Sequence, residues 1–278
     1  MMKQICESTR ILGAVAGVVV LNLGCASTLL REAPKTAEEY YARGVEDTDD
    51  GLYPEALQTF AALKSKFPYS KYAALAELRI GDVHFERGRY IEAVDGYRNF
   101  LKYHPQHEEG SYAMYRIAGS YREQIPVDLF ILPPAAEKDQ GSTRLAISAY
   151  KDMLTRYPDS KESEKAKEEL DSCRRQLADH EIYVAEFYFK RERWKAAAMR
   201  AEGLLKDYSG LGLDAEALII SAESRFNLDE YDAALEAAAR IQNEFPESSE
   251  AGRARDLLER AQSLRSTTPT SDDPPKKG

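Results

Sequence analysis

Cysteine is scarce, and its placement removes disulfides from the fold. Of three cysteines, Cys6 and Cys25 fall in the first 25 residues and Cys173 stands alone, so no intrachain bridge is expected beyond that leader. Cys173 shares a helical stripe with Ala166, Leu170 and Leu177 and is expected as a buried structural thiol. Positive charge is in deficit too. The 38 lysines and arginines face 47 aspartates and glutamates, a formal −9; without Lys3, Glu7 and Arg10 the balance is 36 against 46, or −10. Nucleic acid is therefore not an expected partner, because a phosphate backbone needs a basic face. The apolar run at residues 11–23 is shorter than the ~20 residues a membrane span needs. There is no phosphate-cradling glycine loop, no CxxC pair and no nucleophile elbow. His104 and His107 beside Glu108 and Glu109 have a metal-like composition, yet they flank Pro105 at an expected solvated boundary, so neither metal nor other cofactor is expected. The carboxylates are scattered over expected exposed helix faces, where charge serves solubility and i,i+4 pairing. An enzyme would need titratable groups that converge, and none is legible.

What the chain does have is a repeat. Five alanines are each followed, twelve residues later, by a helix stop: Ala56 and Pro68, Ala93 and Pro105, Ala146 and Pro158, Ala197 and Ser209, Ala234 and Pro246. Only Ser209 departs from proline, which ends a helix because it lacks an N–H and clashes with the preceding turn. Four residues after the alanine, Phe60, Tyr97 and Tyr150 fall on the same helix face. Twelve before it stand Gly44, Gly81, Ala185 and Ala222, small residues that let two antiparallel helices approach; Gly119 serves repeat three at a wider gap. Gly51, Gly88 and Asn227 are expected to supply positive φ in the turns between helices. The register resembles the tetratricopeptide repeat, a helix hairpin of roughly 34 residues. The expected fold is all-α, a superhelical array of five such hairpins. Alanine intervals of 37, 53, 51 and 37 put insertions around repeats three and four. One is the loop 124–143, apolar in its first half; it either covers the groove of the first repeats or caps repeat three. The other reads as a long helix from about Ser160 into Phe189, linking the two halves.

The ends are of another kind. Lys3 and Arg10, the apolar run and Gly24-Cys25 describe a secretory signal peptide over residues 1–24. A cysteine directly after a small residue resembles a bacterial lipoprotein box, which makes Cys25 the expected lipid attachment, although Asn22 stands where that pattern prefers leucine. By the same resemblance Ala26, not being aspartate, directs the protein to the outer membrane. Residues 25–37 read as a tether of about 40 Å when extended, and residues 266–278 as a disordered tail. Between them lie repeats 1–3 over residues 38–158, then the linking helix and repeats 4–5 over residues 159–265.

With the repeats in phase, LADHEIYVAEFYFKRERWKAAAMRAEGLLKDY at residues 177–208 becomes informative, as do SYAMYRIAGSYREQIP at 111–126 and EKDQGSTRLAISAYKDMLTRYPDS at 137–160. Together with the lipid box they resemble the BamD (YfiO-type) family of outer-membrane β-barrel assembly lipoproteins, over nearly all of residues 25–250. The resemblance implies a non-catalytic, lipid-anchored scaffold facing the periplasm. Its C-terminal repeats would hold the barrel-forming subunit through that subunit's periplasmic domains. Its N-terminal repeats would receive unfolded outer-membrane proteins, and other assembly lipoproteins would accompany it. By the usual concave positions of such repeats, Tyr41, Leu78, Asp82, Phe85, Arg116 and Ser120 are expected in the client groove, with Arg116 suited to a terminal carboxylate. Arg200, in the R-x-E-G-x-L run, is the expected partner contact, set against an internal salt bridge. The alternative function is a periplasmic repeat lipoprotein scaffolding another envelope system, such as pilus or secretin assembly. An enzyme with the repeats as a recruiting arm lacks a leftover domain large enough for catalysis.

Overall fold

The structure, a computed structural model, describes residues 32–127 and 134–265. The expected signal peptide, the lipid site at Cys25, the tail at 266–278 and the middle of the 124–143 insertion lie outside these residues. Residues 35–265 belong to one unit, and its described residues form eleven α-helices, one short 3-10 turn and no strand. The helices are α1 (Ala37–Asp49), α2 (Tyr53–Lys66), α3 (Lys71–Glu86), α4 (Tyr90–Tyr103), α5 (Gly110–Arg122), α6 (Gly141–Arg156), α7 (Ser163–Phe189), α8 (Trp194–Asp207), α9 (Asp214–Phe226), α10 (Tyr231–Glu244) and α11 (Ala251–Arg265). Each odd-numbered helix up to α9 packs on the next, giving five tetratricopeptide-like hairpins, and α11 closes the last against α9 and α10.

The alanine register governs both ends of each second helix. All five alanines are fully buried, and every second helix ends two residues before its stop. The residue between has left the helical region: φ/ψ is −132/55 at Phe67, −129/57 at His104, −134/63 at Tyr157 and −135/49 at Phe245. A following proline forces this, since its Cδ clashes with a helical predecessor. Tyr208, followed by Ser209, keeps φ at −133 but relaxes ψ to 21. At the other end, positive φ falls five residues before the alanine, at Gly51 (73°), Gly88 (69°), Glu192 (56°) and Asp229 (60°). The expectation for Asn227 is thus corrected: it caps α9 at φ −70, and Asp229 makes the reversal.

The small residues of the first helices meet the position four after the alanine. A Cβ on Gly44 would lie 2.5 Å from the Phe60 ring, and one on Gly81 2.7 Å from the Tyr97 ring. In the last two hairpins the same positions hold Ala185 with Ala201 and Ala222 with Ala238, all fully buried. Glycine thus faces a ring and alanine faces alanine, two ways of filling one gap. Repeat three is a second correction. Gly44, Gly81 and Ala118 stand 37 apart, and Ala118, not Gly119, is buried with Ala146 and Tyr150.

The long helix expected from about Ser160 is α7, whose 27 residues reach Phe189. Cys173 is buried there beside the α5/α6 core, and burial pushes its thiol up to about 11. The described parts of the 124–143 insertion dock on α7 rather than on the first repeats. Gln176 donates to the Pro126 carbonyl at 2.8 Å, His180 Nδ1 to the Ala136 carbonyl at 2.6 Å, and Tyr183 to Glu137 at 2.5 Å. Buried Gln140 closes the strap on the Ala135 and Lys138 carbonyls.

Candidate protein-binding cleft

The first helices of hairpins one to three line a cleft of about 520 Å³ whose walls include Tyr41, Arg79, Asp82, Glu86, Tyr112 and Arg116. Its organising group is Asp82, 7% exposed. Oδ1 accepts from the Tyr97 hydroxyl at 2.7 Å and the Tyr112 hydroxyl at 2.9 Å. Oδ2 accepts from Arg79 Nη1 at 2.6 Å, and Arg79 Nε donates to the Tyr41 hydroxyl at 3.0 Å. Arg116 Nε lies 3.6 Å from Oδ1 and donates to the Tyr97 hydroxyl at 3.1 Å. Its Nη2 reaches Glu86 at 3.1 Å, and its guanidinium stacks 3.7 Å above the Phe85 ring. One buried carboxylate thereby fixes two arginines and two tyrosines from α3, α4 and α5.

The electrostatics follow from that arrangement. Burial pushes the Tyr97 and Tyr112 hydroxyls up, and the Asp82 charge adds to it, so both remain donors at neutral pH. Burial works against charge on Arg79 and Arg116, but Tyr41 with Asp82 in the first case and Tyr97 with Tyr112 in the second raise them further still. The buried charge is paired and hydrogen-bonded, as a low dielectric requires. Chemically this is a rigid donor array with tyrosine faces, suited to gripping a polypeptide.

Four expected groove residues therefore meet here: Tyr41, Asp82, Phe85 and Arg116. Two do not. Leu78 is fully buried in the α3/α4/α5 core, and Ser120 is fully buried with its hydroxyl on the Arg116 carbonyl at 2.8 Å. Sequence reasoning missed Arg79 and Tyr112. The signal was present, since Arg79 and Arg116 are 37 apart and occupy one register position.

In the C-terminal half, Arg200 is 47% exposed and donates to Glu181 on α7 at 3.0 Å. The internal partner is Glu181, whereas Glu202 is held by Arg225 and Ser221. At the repeat-two boundary His104 Nε2 lies 3.0 Å from Glu77, which also pairs with Lys64, and His107 packs edge-on against Phe100. Among the described residues no helix is long and apolar enough to cross a membrane.

Comparison with known proteins now bears on this cleft. The chain is 28% identical to the outer membrane protein assembly factor BamD of Caulobacter vibrioides over 228 residues, covering 80% of this chain and 72% of that protein. It is 28% identical to the BamD of Haemophilus influenzae over 215 residues, 76% of this chain and 81% of that one. With the BamD of Xylella fastidiosa it shares 26% over 247 residues, 86% and 83% respectively. The model of the YfiO family, described as an outer membrane lipoprotein, matches residues 33–241, from before α1 into α10. A match across all five hairpins, cleft included, means that the chain belongs to the YfiO family of outer membrane lipoproteins.

Proposed function

We propose that this protein is a non-catalytic scaffold of the outer-membrane β-barrel assembly complex, anchored through lipid on Cys25 and facing the periplasm. Its N-terminal hairpins receive unfolded barrel clients in the Asp82 cleft. Its C-terminal hairpins, with Arg200 at the surface, hold the barrel-forming subunit by that subunit's periplasmic domains, and other assembly lipoproteins complete the complex. The observation that carries this reading is the family match running through both halves of the array. The cleft supports the client role. Arg116 has one arm on Glu86, which is 50% exposed, so an incoming carboxylate can take that arm by displacing a solvated competitor rather than a buried one.

The test is a pull-down from detergent extract with the full-length tagged chain. A β-barrel protein bearing repeated periplasmic domains is the expected catch. Recovery of only a secretin or pilus ring overturns the reading in favour of another envelope system. Cys25→Ser should shift the protein from the membrane fraction to the soluble fraction; unchanged fractionation removes the lipid anchor from the account.

A further inference from the structure

Tyr69 stands clear of the fold. It lies in the turn from α2 to α3, fully exposed, with no hydrogen bond or ring partner among the described residues. Cations flank it: Lys64 and Lys66 close α2, and Lys71 opens α3. Lys64 pairs with Glu77 at 2.9 Å. Lys66 donates to the Tyr40 hydroxyl and lies 4.9 Å from the centre of that ring, which brings the start of α1 to the same corner. Lys71 lies 5.1 Å from the centre of the Tyr72 ring. Neither Lys66 nor Lys71 has a carboxylate partner among the described residues. Glu77 also meets His104 at 3.0 Å, so the end of α4, with exposed Lys102 and Tyr103, adjoins this edge.

Folding accounts for only part of this. Lysines in a last turn complement the helix dipole, which suits Lys64 and Lys66. Lys71, at the first position of α3, opposes it, and a fully exposed tyrosine buries nothing. The charge also changes sign along the edge. From four residues before each helix stop to four after it, with histidine neutral, the turns carry +3 at 64–72, −1 at 101–109, 0 at 154–162, 0 at 205–213 and −3 at 242–250. With the start of the adjoining first helix, the corner of hairpin one (35–39 and 64–72) holds +2. Its register equivalent in hairpin five (213–217 and 242–250) holds −5.

We propose that the corner of hairpin one carrying Lys66, Tyr69 and Lys71, with Lys102 and Tyr103 beside it, rests on the anionic phospholipid surface of the membrane. It rests on the proposed lipid at Cys25 and names what the first hairpin meets there. A bilayer fits this corner better than an acidic protein segment. Helix α1 begins twelve residues after Cys25, so a lipid at that cysteine keeps the corner within about 40 Å of the bilayer. At the resulting effective concentration even a weak contact is populated. Tyrosine and lysine are side chains that settle at headgroup level, the ring beside the acyl boundary and the ammonium among phosphates. The same surface repels the −5 corner. The lipid supplies attachment and the corner supplies orientation, with hairpin one on the bilayer and the equivalent edge of hairpin five turned from it.

The probe is the full lipidated chain, its Cys25 lipid verified by mass spectrometry, on vesicles of phosphatidylethanolamine and phosphatidylglycerol with brominated acyl chains. Trp194→Phe removes the one native tryptophan, and Tyr69→Trp supplies a reporter. Its emission should fall by about half relative to unbrominated vesicles. A reporter made by Glu247→Trp, the register equivalent in hairpin five, should lose less than about a tenth. Lys71→Glu with Lys102→Glu should restore emission at position 69 while the chain still sediments with the vesicles, and about 1 M salt should restore part of it. No quenching at position 69 in a sedimenting chain overturns this inference alone; shielding of that reporter from iodide on addition of the barrel-forming subunit would then assign the edge to a protein. Equal quenching at positions 69 and 247, or quenching indifferent to the lysine reversals, overturns it too. A chain that carries no lipid and does not sediment overturns the proposed anchor, and this contact with it.

Discussion

The Tyr97 hydroxyl donates to Asp82 Oδ1 at 2.7 Å, joining the second helix of hairpin two to the carboxylate that lines the cleft. The same Tyr97 ring fills the gap left by Gly81. One side chain therefore belongs to the core through its ring and to the cleft through its oxygen.

Removing the carboxylate tests this directly. Asp82→Ala takes from Arg79 its carboxylate partner, leaves Arg116 with only the half-exposed Glu86, and deprives two tyrosine hydroxyls of their acceptor. Breaking a buried ionic group in this way costs about 3–5 kcal/mol. Urea unfolding should show that loss, and Asp82→Asn, which keeps one acceptor, should show a smaller one.

Gly81→Ala adds one methyl, yet its Cβ would meet the Tyr97 ring at 2.7 Å and that ring is fully buried. Overpacking of this kind costs about 1–3 kcal/mol. Ala185→Gly, in the hairpin that uses alanine against alanine, should also destabilise, by about 1 kcal/mol through helix propensity. A stabilising Gly81→Ala in thermal melts would contradict the interlock.

Glu216 predicts a pH effect. Burial raises its pKa, and Glu186, Glu250 and Asp179 nearby add to the rise. An acid whose folded pKa lies above its unfolded value contributes most when protonated, below the unfolded pKa. That contribution is lost as pH rises through the folded pKa, so at pH 7 the group is a liability. Glu216→Gln should therefore raise Tm by about 1–3 °C at pH 7, and the gain should shrink toward pH 4. Glu202 behaves oppositely: burial works against it, but hydrogen bonds from Arg225 and Ser221 hold its carboxyl below the ordinary value. Its contribution is present above the unfolded pKa and fades as pH falls through the lower folded value.

Arg200 separates contact from support. Its pairing with Glu181 is half-exposed on the arginine side, and such pairs contribute about 0–1 kcal/mol. Arg200→Ala should leave Tm within about 2 °C while weakening recovery of the barrel-forming subunit. A larger thermal loss with full recovery would assign Arg200 to the scaffold.

Much of this was legible beforehand because proline and a buried alanine act locally. A proline fixes where a helix stops whatever surrounds it, which is why all four such ends fell two residues before their marks; α8 stops at the same distance from Ser209 without one. Which face of a first helix looks into the cleft is decided by tertiary packing, and one residue turns the helix by 100°. Leu78 was expected there, yet its neighbour Arg79 lines the cleft. Ser120 could have been placed from register alone, since 37 residues earlier stands Val83, fully buried. The Asp82 hub has no local signature: its partners come from α3, α4 and α5, and only the assembled hairpins bring them within reach.

Helix α7 runs through 27 residues without a break, touching hairpin three on one side and hairpin five on the other. A strut of that kind carries load. With about 40 Å of continuous hydrogen-bonded backbone, a tug delivered to the segment strapped by His180 and Tyr183 arrives at Phe189, the end of the helix, as displacement instead of being absorbed in a hinge.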